Sequence, residues 1–244
     1  MIGYDKIPEN EDILLDLPFR EGTGTVTMDV AKPHHPVTLN DPGGGSFVWT
    51  SLPSGLMALE FITTGGGAAQ GVYLECDSTE TADLDFIAGD YSLGCWINWT
   101  AVSSSIIMGR YQLNVSGWEL YLYNAAPIYY LTQRHHHAST IVGGNPRSGC
   151  YSVGWTPGEW CFMGSSRTGG GEAYHYRNGV ELTMSTGGLV DPETDSSDLV
   201  TGCRFTKDSD WYKGLMWRPR IWDRILSASE WMNIFKSERD WFGI

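Results

Sequence analysis

Gly214-Leu215-Met216-Trp217-Arg218-Pro219-Arg220-Ile221-Trp222-Asp223-Arg224-Ile225-Leu226 runs directly into Ser227-Ala228-Ser229-Glu230, and the reading of this stretch decides the fold. Its first part alternates large apolar with charged residues at the period of a strand. Its second part is a helix start: the Ser227 hydroxyl is placed to accept from the N–H of Glu230, and the Glu230 carboxylate to reach back to the N–H of Ser227. Two of the donors left unpaired at a helix end are met in this way. Leu226 and Trp231 stand at the two positions of a hydrophobic staple. The stretch predicts a core strand followed by one short capped helix over Ser227–Glu238. Pro219 interrupts the strand pattern, because proline donates nothing to a ladder, and it predicts an edge or a bulge there.

Working outward, Asn178-Gly179 is the strongest local turn signal. Both residues tolerate positive φ, so a type I′ turn is predicted to join Ala173–Arg177 to Val180–Met184 as a hairpin. Period-2 stretches recur at Gly117–Asn124, Ile128–Thr132 and Thr201–Thr206, separated by Gly, Pro or Asn clusters. Thirty Gly, eleven Pro and 13% aromatic residues suit many short strands joined by tight turns, with Trp and Tyr filling the space between sheets. A length of 244 residues accommodates one large all-β domain with a sizeable core. Gly43–Gly45, Gly65–Gly67 and Gly169–Gly171 read as loop tips, since none precedes the Lys-Ser/Thr pair or the helix that a phosphate cradle needs. The first dozen residues are polar and charged without periodicity, which predicts an N-terminal arm at 1–12 outside a single domain at 13–244.

Several segments share an order with a known family. Leu17-Pro18-Phe19-Arg20-Glu21-Gly22-Thr23-Gly24 looks like an opening strand with a Glu-Gly-x-Gly turn, Ala58–Phe61 like a second signature strand, and Asp90–Asn98 like a long central strand. Gly158-Glu159-Trp160 opens a further strand running to Arg167, and Tyr174-His175-Tyr176-Arg177-Asn178-Gly179 forms the hairpin after it. Together with the closing strand and helix, these resemble the laminin G-like members of the concanavalin A-like lectin superfamily. The resemblance implies an all-β jelly-roll sandwich of two antiparallel sheets with one short C-terminal helix. It also implies recognition of glycans or protein partners by loops and one sheet face, without chemistry. Where related sequences carry an acidic residue and Val in the last strand, this chain has Met216, Trp217 and Pro219, so no acidic role is expected there.

Charge and cysteine content narrow the partners. A formal charge of −13, from 29 acidic against 16 basic residues, repels phosphate backbones and anionic lipid, so nucleic-acid binding and membrane insertion are not expected. No apolar run reaches the roughly 18 residues of a membrane span. Met1–Pro8 has neither a basic leader nor an apolar core, so no export signal is expected. The cysteines at 76, 95, 150, 161 and 203 show no C-x-x-C spacing, and most are expected to be buried thiols. Asn98-Trp99-Thr100 and Asn114-Val115-Ser116 match a glycosylation sequon and are read as accidental.

Four groups of residues raise chemical hypotheses. Glu75-Cys76-Asp77-Ser78-Thr79-Glu80 resembles the E-x-D-x-x-E signature of retaining glucanases, in which two glutamates about 5–5.5 Å apart serve as nucleophile and acid/base. The flanking positions are Ser, Thr and Glu instead of apolar strand residues, so Glu75 and Glu80 are expected on a solvated acidic loop. His135-His136-His137 point alternately to opposite sides of an extended chain and cannot all reach one ion, which favours a polar loop and no metal site. Asp191, Glu193, Asp195 and Asp198 carry the oxygen ligands Ca²⁺ takes, and many family members bind Ca²⁺. The run lacks the spacing and central Gly of a calcium loop, so it too is expected to be an exposed loop. Tyr111, Trp118, Tyr121, Tyr123, Tyr129 and Tyr130 suggest a sugar-stacking platform on the concave sheet, though alternation turns about half of them to the core. Tyr111, Trp118, Tyr129 and Tyr130, with His136, are the candidate glycan- or partner-binding residues.

No catalytic residue is assigned on this reading. The expectation is a non-catalytic recognition or structural module, with a retaining glycosidase using Glu75 and Glu80, or a free-standing lectin, as alternatives. In kind the chain looks like jelly-roll proteins that bacteriophages carry on their particles. That sets the expectation of a virion exterior, a capsid or tail protein as docking partner, a cell-surface glycan as ligand, and a homo-oligomer, with three-fold symmetry suiting capsid attachment. No cofactor beyond the family's Ca²⁺ is implied.

Overall fold

A computed structural model describes residues 4–64, 71–100, 103–138, 147–152, 156–183 and 189–244. Two eight-stranded sheets face each other, and every pairing is antiparallel. The first sheet runs, in spatial order, β14 (Val180–Leu182), β13 (Ala173–Arg177), β12 (Cys161–Arg167), β7 (Tyr91–Trp99), β16 (Gly214–Trp222), β5 (Met57–Thr63) and β4 (Gly45–Ser51), with β1 (Ile13–Asp16) also on β16. The second runs β11 (Arg147–Ser152), β10 (Ile128–His135), β9 (Ser116–Ala125), β8 (Ser105–Gln112), β15 (Leu199–Thr201), β6 (Tyr73–Cys76), β3 (Pro36–Asn40) and β2 (Val26–Met28). The only α-helix among the described residues is α1, Ala228–Glu238. This is the jelly-roll sandwich with one short C-terminal helix.

The closing motif forms as its residues dictate. Ser227 N–H donates to Glu230 Oε2 at 2.8 Å and Glu230 N–H to Ser227 Oγ at 3.3 Å, closing the capping box. Pro219 does mark a bulge, but on a central strand and not at an edge. The register of β16 against β7 slips between Trp217 and Arg220, and Arg218 takes a φ of +56°. On its other side β16 pairs with β5 through Met216 and with β1 from Arg220 onward. The missing proline N–H therefore falls where the strand changes partners.

Strand β7 is buried on both faces. Tyr91, Leu93, Cys95 and Ile97 alternate with Ser92, Gly94 and Trp96, and all are buried. The first set faces the other sheet, and the second lies beneath α1. Trp231, fully buried, sits over Gly94 and Gly164, where a Cβ on Gly164 would come within 2.2 Å of its ring. Its Nε1 donates to Ser166 Oγ at 2.9 Å, and its ring stacks on Tyr176 at 5.1 Å. Trp96 stacks on Phe242 at 4.1 Å and donates to Glu238 Oε2 at 2.7 Å. A second aromatic core thus separates the first sheet from the helix.

Three expectations about elements are corrected. Residues 4–12 are not a free arm: two 3₁₀ turns, Tyr4–Lys6 and Pro8–Asn10, lie on the sandwich. Trp222 Nε1 donates to Glu9 O at 2.7 Å, Arg224 Nη2 to Pro8 O at 3.0 Å, and the Tyr4 hydroxyl to Asp16. The strand expected at Thr201–Thr206 is β15, which ends at Thr201, because Gly202 turns left-handed at φ +92° and sends the chain into a loop. The Asn178-Gly179 turn has φ of +52° and +75° as a type I′ turn requires, but β14 ends at Leu182, and Met184 lies outside the described residues. Cys76, Cys95, Cys161 and Cys203 are buried free thiols, and burial pushes those of Cys76 and Cys161 up to about 12. The Cys150 side chain lies outside the described residues.

One buried pair ties the loop between β2 and β3 to the body. His35, 3% exposed, bonds Asp29 through Nδ1 at 2.8 Å and Asp83 through Nε2 at 3.0 Å. Burial alone would depress its pKa, but hydrogen bonds to Asp29 and Asp83 carry it from 6.5 up to about 9. A raised pKa means the folded state holds the proton more tightly than the unfolded one. The stabilisation is therefore full below pH 6.5 and is lost as pH rises through about 9. Thermal unfolding between pH 6 and pH 9.5 should show wild type losing about 2–3 kcal/mol that His35→Gln never had. Independently, Trp231→Ala should cost about 3–5 kcal/mol in chemical denaturation, and a change below half a kcal/mol would make α1 peripheral.

Candidate functional site

The outer face of the second sheet carries a dense set of polar and aromatic side chains, and strand parity sets which ones. Along β9, Trp118, Leu120 and Leu122 enter the core, so Glu119, Tyr121 and Tyr123 point outward. Cross-strand pairing places Arg134 beside Glu119, Thr132 beside Tyr121 and Tyr130 beside Tyr123. Further across, Glu119 pairs with Gly109 on β8, Gly109 with Val200 on β15, and Val200 with Glu75 on β6. Glu75 and Glu119 therefore share one row, three strand spacings or about 14 Å apart.

The loop after β15 fills the middle of that row. Cys203 and Trp211 join Val200 in a small apolar cluster separate from the main core, with Tyr73 against it. Trp211 sits so close to Gly71 that a Cβ there would come within 2.4 Å of its ring. Phe205 covers Tyr111 at 5.2 Å, and Ile106 N–H donates to Asp210 O at 3.0 Å. Among the described residues this loop covers the row between Glu75 and Glu119.

On one side of this plug lies a buried charge cluster. Glu119, 1% exposed, faces Arg134 Nη1 at 2.9 Å and His136 Nε2 at 3.3 Å, with the Tyr111 hydroxyl nearby. Burial would raise its pKa, but His136, Arg134 and Tyr111 hold the carboxyl below the usual range. Arg134 in turn lies 4.6 Å from the Tyr121 ring centroid. Tyr121, Tyr123 and Tyr130 continue outward as a strip, with centroids 6.2 and 6.0 Å apart, and Tyr123 is 41% exposed. An open row of rings ending at a held guanidinium suits a flat ligand with a polar edge.

On the other side of the plug, Glu75 is half-buried on strand β6, not on the solvated loop expected of it. It pairs with Lys207, which also meets Asp198 at 2.9 Å, and it accepts from Asn40 at 3.2 Å. Glu80 stands exposed in the turn after the strand, where its N–H bonds Asp77 O at 3.0 Å. The two glutamates are drawn to different surroundings, and the partner on Glu75 is an ammonium. Glu119, at the other end of the row, is too far away for either glycosidase geometry, which needs about 5–9.5 Å, and the carboxylate near Glu75, that of Asp198, is held on the same ammonium.

The candidates named from sequence fare unequally. Trp118 is fully buried, its Nε1 donating to Leu84 O at 2.9 Å, because its parity is that of the core. Tyr111 and His136 are buried as well, stacked on each other at 4.7 Å beneath Phe205. None of these three offers a face to a ligand. Tyr129 turns inward, edge-on to Trp99 at 5.7 Å, and of the five only Tyr130 lies on the strip. Arg134 and Glu119 were missed, although parity counted from Trp118 puts Glu119 beside Tyr121 and Tyr123.

The histidine run is no polar loop. His135 is buried between the Tyr91 hydroxyl and Val190 O, each at 2.7 Å, and burial takes its pKa down to about 3. His137 faces Glu193 at 3.5 Å, so the three imidazoles serve three different places. The acidic run is likewise tied down instead of exposed. Asp191 pairs with Arg167, buried Asp195 accepts from Ser116 at 2.5 Å, and Asp198 accepts from Ser78 N–H at 3.0 Å. Among the described residues no group of three or more His, Cys, Asp or Glu is arranged to hold a metal ion, and no helix is long and apolar enough to cross a membrane.

A laminin G-type family model, described as the concanavalin A-like lectin/glucanases superfamily, matches residues 67–230. No curated protein sequence matches the chain. Among solved structures, it superposes on botulinum neurotoxin type C, a toxin whose cell entry depends on interaction with two ganglioside molecules, at a TM-score of 0.68 and 13% identity. It superposes on the binding domain of botulinum neurotoxin DC in complex with rat synaptotagmin II at 0.65 and 13% identity. These alignments cover 93% of this chain and 52% of each of those chains, so the chain spans about half the length of its structural neighbours.

The different burial of the two carboxylates gives a direct check. Glu119→Ala leaves the largely covered Arg134 guanidinium without its carboxylate and should cost about 3 kcal/mol. Glu75→Ala breaks a half-exposed pair and should cost about 1 kcal/mol or less. Urea denaturation of both variants measures the contrast, and equal losses would contradict the burial described.

Proposed function

The chain belongs to the concanavalin A-like lectin/glucanase superfamily, and from that membership we propose that it is a non-catalytic recognition module whose Tyr121–Tyr123–Tyr130 strip stacks on sugar rings. The observation that carries this reading is the plugged row on the second sheet. The 203–211 loop fills the face between Glu75 and Glu119 and leaves the tyrosine strip beside Arg134 as the open part. Neighbouring structures include a toxin that interacts with gangliosides and a binding domain in complex with rat synaptotagmin II, both of which are binding roles.

In its finer form the reading places the module on a virion exterior, docked on a capsid or tail protein and presented in several copies to a cell-surface glycan. Its resemblance in kind to jelly-roll proteins of bacteriophage particles supports this, and the net charge of −13 suits a body that stays dispersed before assembly.

The test is binding to a panel of immobilised neutral and acidic glycans, alongside a reducing-sugar assay on β-glucans. Wild type should bind at least one glycan and release no reducing ends. Tyr123→Ala and Tyr130→Ala should each weaken that binding by about tenfold with folding intact. Release of reducing ends that Glu75→Gln abolishes would overturn the reading in favour of a glycosidase.

A further inference from the structure

A cleft of about 460 Å³ opens on the opposite side of the molecule, between the N-terminal turns, the bulge of β16 and the C-terminal helix. Its lining includes Pro18, Arg20, Leu56, Trp217, Arg220 and Trp241. The volume lies within the range of small-ligand sites. Its hydrogen-bond capacity is unbalanced, and the imbalance identifies what fits.

The carboxylates around it are saturated. Asp16 takes Arg218 Nε at 2.9 Å and Nη2 at 2.8 Å, together with the Tyr4 hydroxyl. Glu238 takes Arg218 Nη1 at 2.6 Å, Arg220 Nη1 and Nη2 at 3.0 and 2.8 Å, and Trp96 Nε1 at 2.7 Å. The donors are not all used. Trp217, 5% exposed, and Arg220, 2% exposed, keep buried Nε1 and Nε groups with no acceptor among the described residues. Arg20 stands exposed at the wall with no ion pair or hydrogen bond among the described residues. The two buried donors lie behind the wall, and Arg20 is the donor that the cleft presents to a ligand oxygen.

The remaining wall is apolar and flat. Trp241, 48% exposed, lies nearly parallel to Trp217, with centroids 6.2 Å apart and planes 25° apart, beside Pro18 and Leu56. An exposed indole face packs on the C–H face of a sugar ring, and an arginine donates two parallel hydrogen bonds to a carboxylate. Glu9 at the rim and the net charge of −13 weigh against a multiply charged phosphate or sulfate.

We propose that this cleft is a second binding site, separate from the tyrosine strip, that takes a carboxylate-bearing pyranose. The ring stacks on Trp241, the carboxylate accepts from Arg20, and the Trp217 indole, stacked behind Trp241, senses the occupied cleft. Because the strip contains no tryptophan and lies on the other sheet, the indole N–H resonance of Trp217 reports this site alone. Failure here leaves the reading of the strip untouched, and failure of the strip leaves this site standing.

The experiment titrates the full chain with D-glucuronate, D-glucose, acetate and inorganic phosphate. It follows the Trp217 indole signal, assigned through Trp217→Phe, by ¹⁵N-¹H NMR. Glucuronate should move the signal with saturation, and glucose and acetate should each bind at least tenfold more weakly, since each has half of the recognised chemistry. Arg20→Gln, at an exposed position, should weaken glucuronate at least tenfold while leaving the rest of the spectrum unchanged. An unmoved indole signal, equal binding of acetate or phosphate, or unchanged affinity in Arg20→Gln would each overturn the proposal. If Arg20→Gln disturbs the wider spectrum, Trp241→Ala serves as the second variant with the same expected loss.

Discussion

Two arginines on one strand tie the helix to the first sheet. Arg218 and Arg220 of β16 reach Asp16 on β1 and Glu238 on α1, so the opening strand, the closing strand and the helix meet in one ion-paired knot. Buried ion pairs contribute little net stability, because desolvation offsets much of the attraction, but removing one partner leaves an uncompensated charge. What the knot supplies is position. It depends on the bulge, since the left-handed turn at Arg218 ahead of Pro219 is what aims the guanidinium across the sheet. The seat of Trp231 over Gly94 and Gly164 then follows, as does the cleft between the N-terminal turns and the helix.

The second sheet obeys a different constraint. Its outer face would be an open trough from Glu75 to Glu119 if the chain after Gly202 ran directly into β16. Instead Cys203, Phe205 and Trp211 fold back over it, and Gly71 is bare of a side chain where Trp211 needs the room. A trough suited to a polysaccharide becomes a plug flanked by two sites with different characters: a salt-bridged pair at Glu75 and Lys207, and an aromatic strip at Tyr121–Tyr130. The superfamily's sandwich is thus a platform whose two faces differ in what they leave open.

What could be read from the sequence was local. The capping box, the Asn178-Gly179 turn and the break at Pro219 each rest on residues adjacent in the chain, and they formed where expected. What the sequence hid was set by long-range cover. Tyr111 and His136 carry binding chemistry, but Phe205, nearly a hundred positions away from Tyr111, lies over them. The acidic residues at 191–198 looked solvated because their partners Arg167, Ser116 and Lys207 come from three other segments. Residues 4–12 show no periodicity because they are held by single backbone carbonyls caught by Trp222 and Arg224, which leave no repeating pattern. The Tyr121–Tyr123 pair was open to strand parity alone, once Trp118 was assigned to the core.

The most direct measurement of the central claim is amide chemical-shift mapping with a neutral oligosaccharide that the protein binds. The account predicts shifts confined to 119–134, on and beside the tyrosine strip, with the signals of Glu75, Lys207 and Asp198 unmoved and the oligosaccharide recovered intact. Shifts centred on Glu75 and the residues around it, with shortening of the sugar chain, would contradict it.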